Sequence, residues 1–246
     1  MEQIDTLLNG RKIIQDSERF QFGIDAVLLA DFASRETRRG DSVIDLGTGT
    51  GIIPLLMETA CGASSFTALE IQEASAAMAA RSMELNGLSS KIKVVCGDIK
   101  DVAGHFGKHT FNVVTSNPPY MVPEAGRANL LDAKSIARHE VLCNLEDLVA
   151  AADYLLLPHG RFFMIHRPSR LPDIFVFLAK HGLEPKRMRL VFPFKDKDAN
   201  LVLIEARKNA RPELKVEAPL VVREKDCSYT NEINLIYKYE VLVMNY

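Results

Sequence analysis

Asn117-Pro118-Pro119-Tyr120 is the stretch of this chain whose residue types point most directly to chemistry. It follows Phe111–Ser116, an apolar run that reads as a buried strand. Neither proline has an N–H to donate and both have a fixed φ, so the pair cannot continue a ladder and makes a stiff loop instead. Such a loop holds a side-chain amide, a free backbone carbonyl and an aromatic ring in fixed relative positions. An exocyclic amine on a planar ring, adenine N6 for example, needs those partners, because its lone pair is delocalised into the ring and is a poor nucleophile. The Asn117 side-chain oxygen and the Pro118 carbonyl could accept its two hydrogens and draw the nitrogen toward a tetrahedral shape. Tyr120 could stack on the base meanwhile. Four residues alone are equally compatible with a proline-rich turn.

Upstream, the apolar strand Ser42–Leu46 runs into Gly47-Thr48-Gly49-Thr50-Gly51 and then into a helical run from Ile52 to Leu56. Strand, glycine turn and helix is the layout in which backbone approaches a ligand closely. The spacing is G-x-G-x-G, not the G-x-G-x-x-G of a dinucleotide pyrophosphate site. Asp45 stands two residues ahead of the first glycine, where it would discourage a phosphate and suit an ammonium group. A second strand, Ser65–Glu70, ends in an acid where a ribose-hydroxyl acceptor usually sits. A third, Ile92–Cys96, leads to Asp98 and Ile99, a carboxylate for an adenine amine and an aliphatic side chain for its face. Four strand ends in order thus carry Asp45, Glu70, Asp98 and Asn117.

The elements that position these ends alternate. A helix is expected from Gln72 to Asn86 with Gly87 beyond its end, and another from Leu145 with Asn144 as N-cap. Arg161–Ile165 reads as a fifth strand, Leu171–Leu178 as a helix ending near Gly182, and Arg187–Phe192 with Leu201–Ala206 as the last pair of strands. Such βα alternation predicts an α/β fold with a doubly wound, mostly parallel sheet. Length and apolar content, 246 residues and 47%, allow one such domain with a full core. We expect residues 1–210 to form it and residues 211–246 to pack on it as an appendage.

Other classes are disfavoured. No apolar stretch approaches the ~18 residues of a membrane span, and the N-terminus lacks a signal peptide's basic and apolar regions. Cys61, Cys96, Cys143 and Cys227 are scattered without C-x-x-C pairing, which predicts reduced thiols, no zinc site and a cytoplasmic location. Charge is uneven: residues 161–211 hold twelve Lys or Arg against five Asp or Glu, although the whole chain carries −2. Arg167, Arg187 and Arg189 belong to that segment, which either forms a basic face for a polyanion or is ordinary clustering on a solvated surface.

With these residues in view, the chain resembles the class I S-adenosylmethionine-dependent methyltransferases, over about residues 20–207. Within them it resembles the amino-methyltransferases that carry an Asn-Pro-Pro-Tyr loop. Phe22–Phe32, Ala137-Arg138-His139-Glu140 and Tyr229–Ile233 narrow the likeness to the bacterial tRNA(Val) adenine-N6 methyltransferase family, which modifies the adenosine 3′ of the anticodon. The resemblance implies a Rossmann-like seven-stranded sheet with an antiparallel last strand. It implies S-adenosyl-L-methionine as cofactor and no metal. Phe22, Gly23 and Asp25, within the N-terminal segment 1–40, are similar to an extra cofactor motif. Asp45, Gly47, Thr48, Gly49 and Gly51 would hold the methionine part, Glu70 with Ile71 and Gln72 the ribose, and Asp98 with Ile99 the adenine. Asn117, Pro118, Pro119 and Tyr120 would carry the chemistry, Asn117 also meeting the cofactor. The tRNA would meet Arg138, His139, Arg167, Arg187 and Arg189.

Three readings compete. Glutamine-amide methylation of a release factor poses the same lone-pair problem, but those enzymes carry a helical domain ahead of the first strand, and here only about forty residues precede Val43. Guanine-amine methylation of ribosomal RNA is compatible with the loop, although such relatives tend to have Phe in place of Tyr120. A non-catalytic cofactor- or RNA-binding module would keep the fold without needing all four strand-end residues.

Overall fold

The computed structural model describes residues 1–7, 9–16, 22–119 and 144–242. Its frame is a sheet in which β3 (Ser42–Leu46), β4 (Ser65–Glu70), β5 (Ile92–Cys96), β6 (Phe111–Ser116), β7 (Leu156–His166), β8 (Leu183–Phe194) and β9 (Leu201–Lys208) lie in the order β5-β4-β3-β6-β7-β9-β8. All neighbours pair parallel except β9, which is antiparallel to both β7 and β8. These are the expected seven strands with an antiparallel last one. Two short strands, β10 (Lys215–Val216) and β11 (Leu220–Arg223), extend the sheet by pairing parallel with successive parts of β8.

Helices cover both faces because strand side chains alternate between two apolar clusters. Val43, Val113, Phe163 and Ile165 face one cluster with α1 (Ile24–Ser34) and α2 (Ile52–Ala60). Met83 of α3 (Glu73–Leu85) joins it. Ile44, Val114, Phe162 and Met164 face the other, with Val102 of the short α4 (Val102–His105), α5 (Leu145–Leu155) and α6 (Leu171–Lys180). Helix α1 is apolar nearly all round, as a helix enclosed on several sides must be. Asn144 caps α5 as expected, in a reciprocal pair with Asp147. The expected Gly87 terminus of α3 has φ of +68°.

Two parts of the chain have structure that the sequence pattern does not announce. β1 (Glu2–Thr6) and β2 (Lys12–Asp16) form an antiparallel hairpin tied to α3, where Ser82 Oγ accepts from the Ile14 N–H at 2.9 Å. The C-terminal segment contributes β10, β11 and then α7 (Asn231–Leu242), which places Ile233 and Ile236 in the cluster shared with α1 and α2. No helix among the described residues is long and apolar enough to cross a membrane.

Candidate active site

The chain builds β3, β4 and β5 outward in one direction and then returns to place β6 on the other side of β3. The crevice at this reversal, at the C-terminal ends of the strands, is where open α/β sheets bind ligands. Asp45 and Asn117 come from the two strands that flank it.

Asp45 is 1% exposed and accepts a hydrogen bond from Thr115 Oγ1 at 2.7 Å. Its other oxygen, Oδ2, is sealed from water with no hydrogen-bond partner among the described residues. Burial pushes the carboxyl up to about 7, against the opposing effects of the Thr115 and then the Thr48 hydroxyl, and the neighbouring Glu70 charge adds to the rise. A buried acceptor in this state is unsatisfied until a donor arrives, and a cationic donor also neutralises it. Ser116, next along β6, anchors that strand to β3 by donating to the Leu46 carbonyl at 2.8 Å. Thr115 and Ser116 support this site from β6 and are not among the residues singled out from the sequence. Two hydroxyls in succession at the end of an otherwise apolar strand were the available signal.

The glycine loop bends sharply over the end of β3. Gly47, Gly49 and Gly51 have φ of +72°, +58° and +85°, the left-handed region that suits glycine. Gly47 and Thr48 donate their N–H groups to the Leu69 carbonyl, and Gly49 donates to Glu70 Oε2 at 2.9 Å. The second Glu70 oxygen accepts from the Gln72 N–H at 2.9 Å. Glu70 therefore ties the loop to the end of β4, and each oxygen keeps a further lone pair for a ligand hydroxyl. Ile71 and Gln72, both half-buried, make the turn into α3. A Cβ on Gly49 would meet nothing within 4 Å, so the loop faces open space there. Ile99 closes on the loop from the other side, its Cδ1 at 3.8 Å from a Cβ built on Gly47. Asp98 Oδ1 caps the following 3-10 turn by accepting from the Lys100 N–H at 2.9 Å. These donors and acceptors fit a cofactor with an ammonium group, hydroxyls and an amine-bearing ring.

Asn117, Pro118 and Pro119 follow β6 directly, and Asn117 Nδ2 donates to Asp25 Oδ2 at 3.1 Å. Phe22 is half-buried against the α1 cluster and Gly23 is the exposed residue before α1. His166 ends β7 beside this loop, buried, its Nδ1 accepting from the Arg167 N–H at 2.8 Å. Burial first, then the Arg170 charge, push its pKa down to about 4, so the ring is neutral with its proton on Nε2.

The candidate RNA-binding residues are placed unequally. Arg167 is exposed at the rim beside His166 and also reaches the Asn200 carbonyl at 3.2 Å. Arg187 lies instead among Glu36, Glu205 and Glu217, with its guanidinium 4.4 Å above the Phe32 ring. Arg189 pairs with Glu232 at 2.7 Å and donates to the Ala218 carbonyl. Both cations are neutralised within the fold and bind the C-terminal segment to the sheet. Tyr120, Arg138 and His139 lie outside the described residues. A cavity of about 430 Å³ opens at the other end of the sheet, between Arg38, His159, Arg161 and Lys186, away from the strand ends that carry Asp45 and Asn117.

Comparison with known proteins matches residues 22–169 to the methyltransferase small domain. A tRNA1(Val) (adenine(37)-N6)-methyltransferase from Bacteroides fragilis is 31% identical over 177 residues, covering 72% of each chain. One of the same name from Serratia proteamaculans is 27% identical over 222 residues, covering 89% of this chain and 83% of its own. Among solved structures, one described as a predicted O-methyltransferase from Agrobacterium tumefaciens superposes with a TM-score of 0.71 at 23% identity. It covers 88% of this chain and 97% of that one.

Proposed function

The chain belongs to the methyltransferase small domain family, and within it to the family of the tRNA1(Val) (adenine(37)-N6)-methyltransferases, and on that premise we propose that it methylates N6 of the adenosine 3′ of the anticodon in a tRNA of the valine type. The observation that carries the reading is the pairing of two groups at the ends of β3 and β6: Asp45, whose buried Oδ2 has no hydrogen-bond partner among the described residues, and Asn117, an amide oriented by Asp25. S-adenosylmethionine, when bound, supplies a methyl group already activated on a sulfonium. Asp45 would hold its ammonium group, Glu70 its ribose hydroxyls and Asp98 the amine of its adenine, with Ile99 against the ring.

The protein's work is then alignment and selective stabilisation. Asn117 Oδ1 and the Pro118 carbonyl accept the two hydrogens of the target amine and turn its lone pair toward the methyl group. They stabilise the partly positive, pyramidal nitrogen more than the flat starting amine. As the N–C bond formed and the C–S bond broke, leaving S-adenosylhomocysteine as a neutral thioether, the nitrogen would become acidic and pass its proton through those oxygens to water, so no strong general base is required. The target adenosine must leave its stack, at a cost of a few kcal/mol, and stacking on Tyr120 offsets part of that. Arg167, exposed at the end of β7, would meet the RNA backbone.

The test is transfer of labelled methyl to a tRNA(Val) transcript, followed by nuclease digestion and mass spectrometry of the nucleosides. N6-methyladenosine is the expected product, formed once per tRNA. Asn117→Ala should lower the single-turnover rate by roughly 10²–10³ with S-adenosylhomocysteine binding retained, the size expected for losing one preorganised partner. Label on guanine, or on a glutamine of an added release factor, would replace this reading with one of its competitors.

A further inference from the structure

Asp25 lies in the first turn of α1, where backbone N–H groups have no acceptor in the preceding turn. Among the described residues its carboxylate meets two donors. Oδ1 accepts from the Ala26 N–H at 3.0 Å, and Oδ2 accepts from Asn117 Nδ2 at 3.1 Å, across 92 residues of sequence. Gly23 makes room for this arrangement, since a Cβ there would stand 2.7 Å from Asp25 Oδ1. The helix behind it does not move easily: Ala26, Val27, Leu28, Leu29 and Ala30 are each no more than 3% exposed. The carboxylate is therefore a fixed acceptor on a rigid support.

A side-chain amide has two nearly isosteric orientations, related by exchange of its oxygen and nitrogen. One presents an acceptor to an incoming amine and the other presents a donor, which an amine hydrogen cannot use. A carboxylate that accepts from Nδ2 selects the first, because Oδ1 must then face away from it. It also polarises the amide, which makes Oδ1 a stronger acceptor. We propose that Asp25 is a positioning residue that sets the orientation of the Asn117 amide for methyl transfer. This goes beyond a place in a cofactor motif, and it rests on the reading of Asn117 as the acceptor of the target amine.

The test separates positioning from cofactor binding. In Asp25→Ala the single-turnover methyl-transfer rate should fall by roughly 10- to 100-fold, as expected for a loosened reacting group, while the Kd for S-adenosylhomocysteine stays within about threefold. Asp25→Asn has one oxygen for the two donors that Asp25 accepts from, the Ala26 N–H and Asn117 Nδ2, and should recover only part of the rate. The double variant Asp25→Ala/Asn117→Ala should be no slower than Asn117→Ala alone, because both remove one device. A readout independent of activity is the Asn117 side-chain amide in ¹⁵N–¹H NMR. The Nδ2 proton that meets the carboxylate should resonate downfield of its ordinary position in the parent and return to that position in Asp25→Ala. A parental rate in Asp25→Ala, additive losses in the double variant, or S-adenosylhomocysteine affinity falling in step with the rate would each overturn the proposal. A parent that methylates no tRNA would instead sink the functional reading, and the NMR arm would still decide whether Asp25 holds Asn117.

Discussion

Because burial raises the Asp45 carboxyl to about 7, a large fraction of the folded protein carries a proton there at neutral pH. A cationic ligand needs the carboxylate, so binding and deprotonation are coupled. The sign for stability follows from a folded pKa above the ordinary 3.8. The contribution of Asp45 to stability is fully present below pH 3.8, declines as the unfolded chain ionises, and is gone above about 7. Its size is on the order of 4 kcal/mol. Asp45→Asn mimics the protonated group and should raise the melting temperature at pH 8, with little change at pH 4. The same variant should bind S-adenosylhomocysteine more weakly. In the parent, affinity should rise between pH 6 and 8 and binding should release a proton, which calorimetry in buffers of different ionisation enthalpy would detect. An affinity independent of pH over that range, or an Asp45→Asn protein less stable than the parent at pH 8, would show that this carboxylate is not the strained acceptor described. The position of Asp45 was legible from its place before a glycine turn. The partner that lowers its penalty, Thr115, was not, because the two meet only when β6 is laid beside β3.

At the scale of elements, two glycines of one loop have different jobs. Gly51 leads into α2 with φ of +85°, and a Cβ there would stand 2.7 Å from Met83 Cε and 3.3 Å from Ala79 Cβ, both on α3. Gly49 also has positive φ, yet an added Cβ meets nothing. Gly51→Ala should therefore destabilise the fold by more than the ~1 kcal/mol of backbone strain alone, because the Met83 side chain must swing aside and Ala79 must give way slightly. Gly49→Ala should cost about that strain and little else in stability, while its methyl occupies space the loop leaves for a ligand. Thermal unfolding and S-adenosylhomocysteine titration of the two variants check this. Equal melting temperatures, or full cofactor affinity in Gly49→Ala, would remove the distinction. The strands of this loop's neighbourhood were readable because buried parallel strands are short apolar runs ended by glycine or an acid. β1, by contrast, is largely exposed and offers little apolar alternation. α1 is apolar almost all round, so its residues show no helical period and read as a motif before they read as a helix.

For the whole molecule, the charge imbalance in residues 161–211 has a structural destination. Among the described residues at least seven of its twelve cations, Arg161, Arg170, Lys180, Arg187, Arg189, Arg207 and Lys208, form ion pairs. Most partners lie elsewhere in the chain: Glu36, Asp41, Glu146, Asp153, Glu217 and Glu232. A count of charge along a sequence cannot see partners that folding brings from a distance, which is why the segment read as a candidate basic face. Two of those pairs, Arg187 with Glu217 and Arg189 with Glu232, reach into the C-terminal segment. That segment also supplies Leu220, Ile233 and Ile236, each no more than 2% exposed, to the cluster that supports α1. We therefore expect residues 211–246 to be required for the fold that carries Asp25, and not to behave as a dispensable appendage. Ile236→Ala should cost about 2–5 kcal/mol, as buried isoleucine truncations do. Removing residues 211–246 should leave Arg187 without Glu217, uncover the β8 edge and expose the apolar side of α1. The shortened chain should unfold at a lower temperature, with a broader transition, and bind S-adenosylhomocysteine weakly or not at all. Chemical denaturation and cofactor titration of the two proteins decide the matter. A truncated chain with parental stability would mean that the sheet from β3 to β9 and its helices already hold α1 in place, and that Ile233, Ile236 and the two arginine pairs only attach the tail.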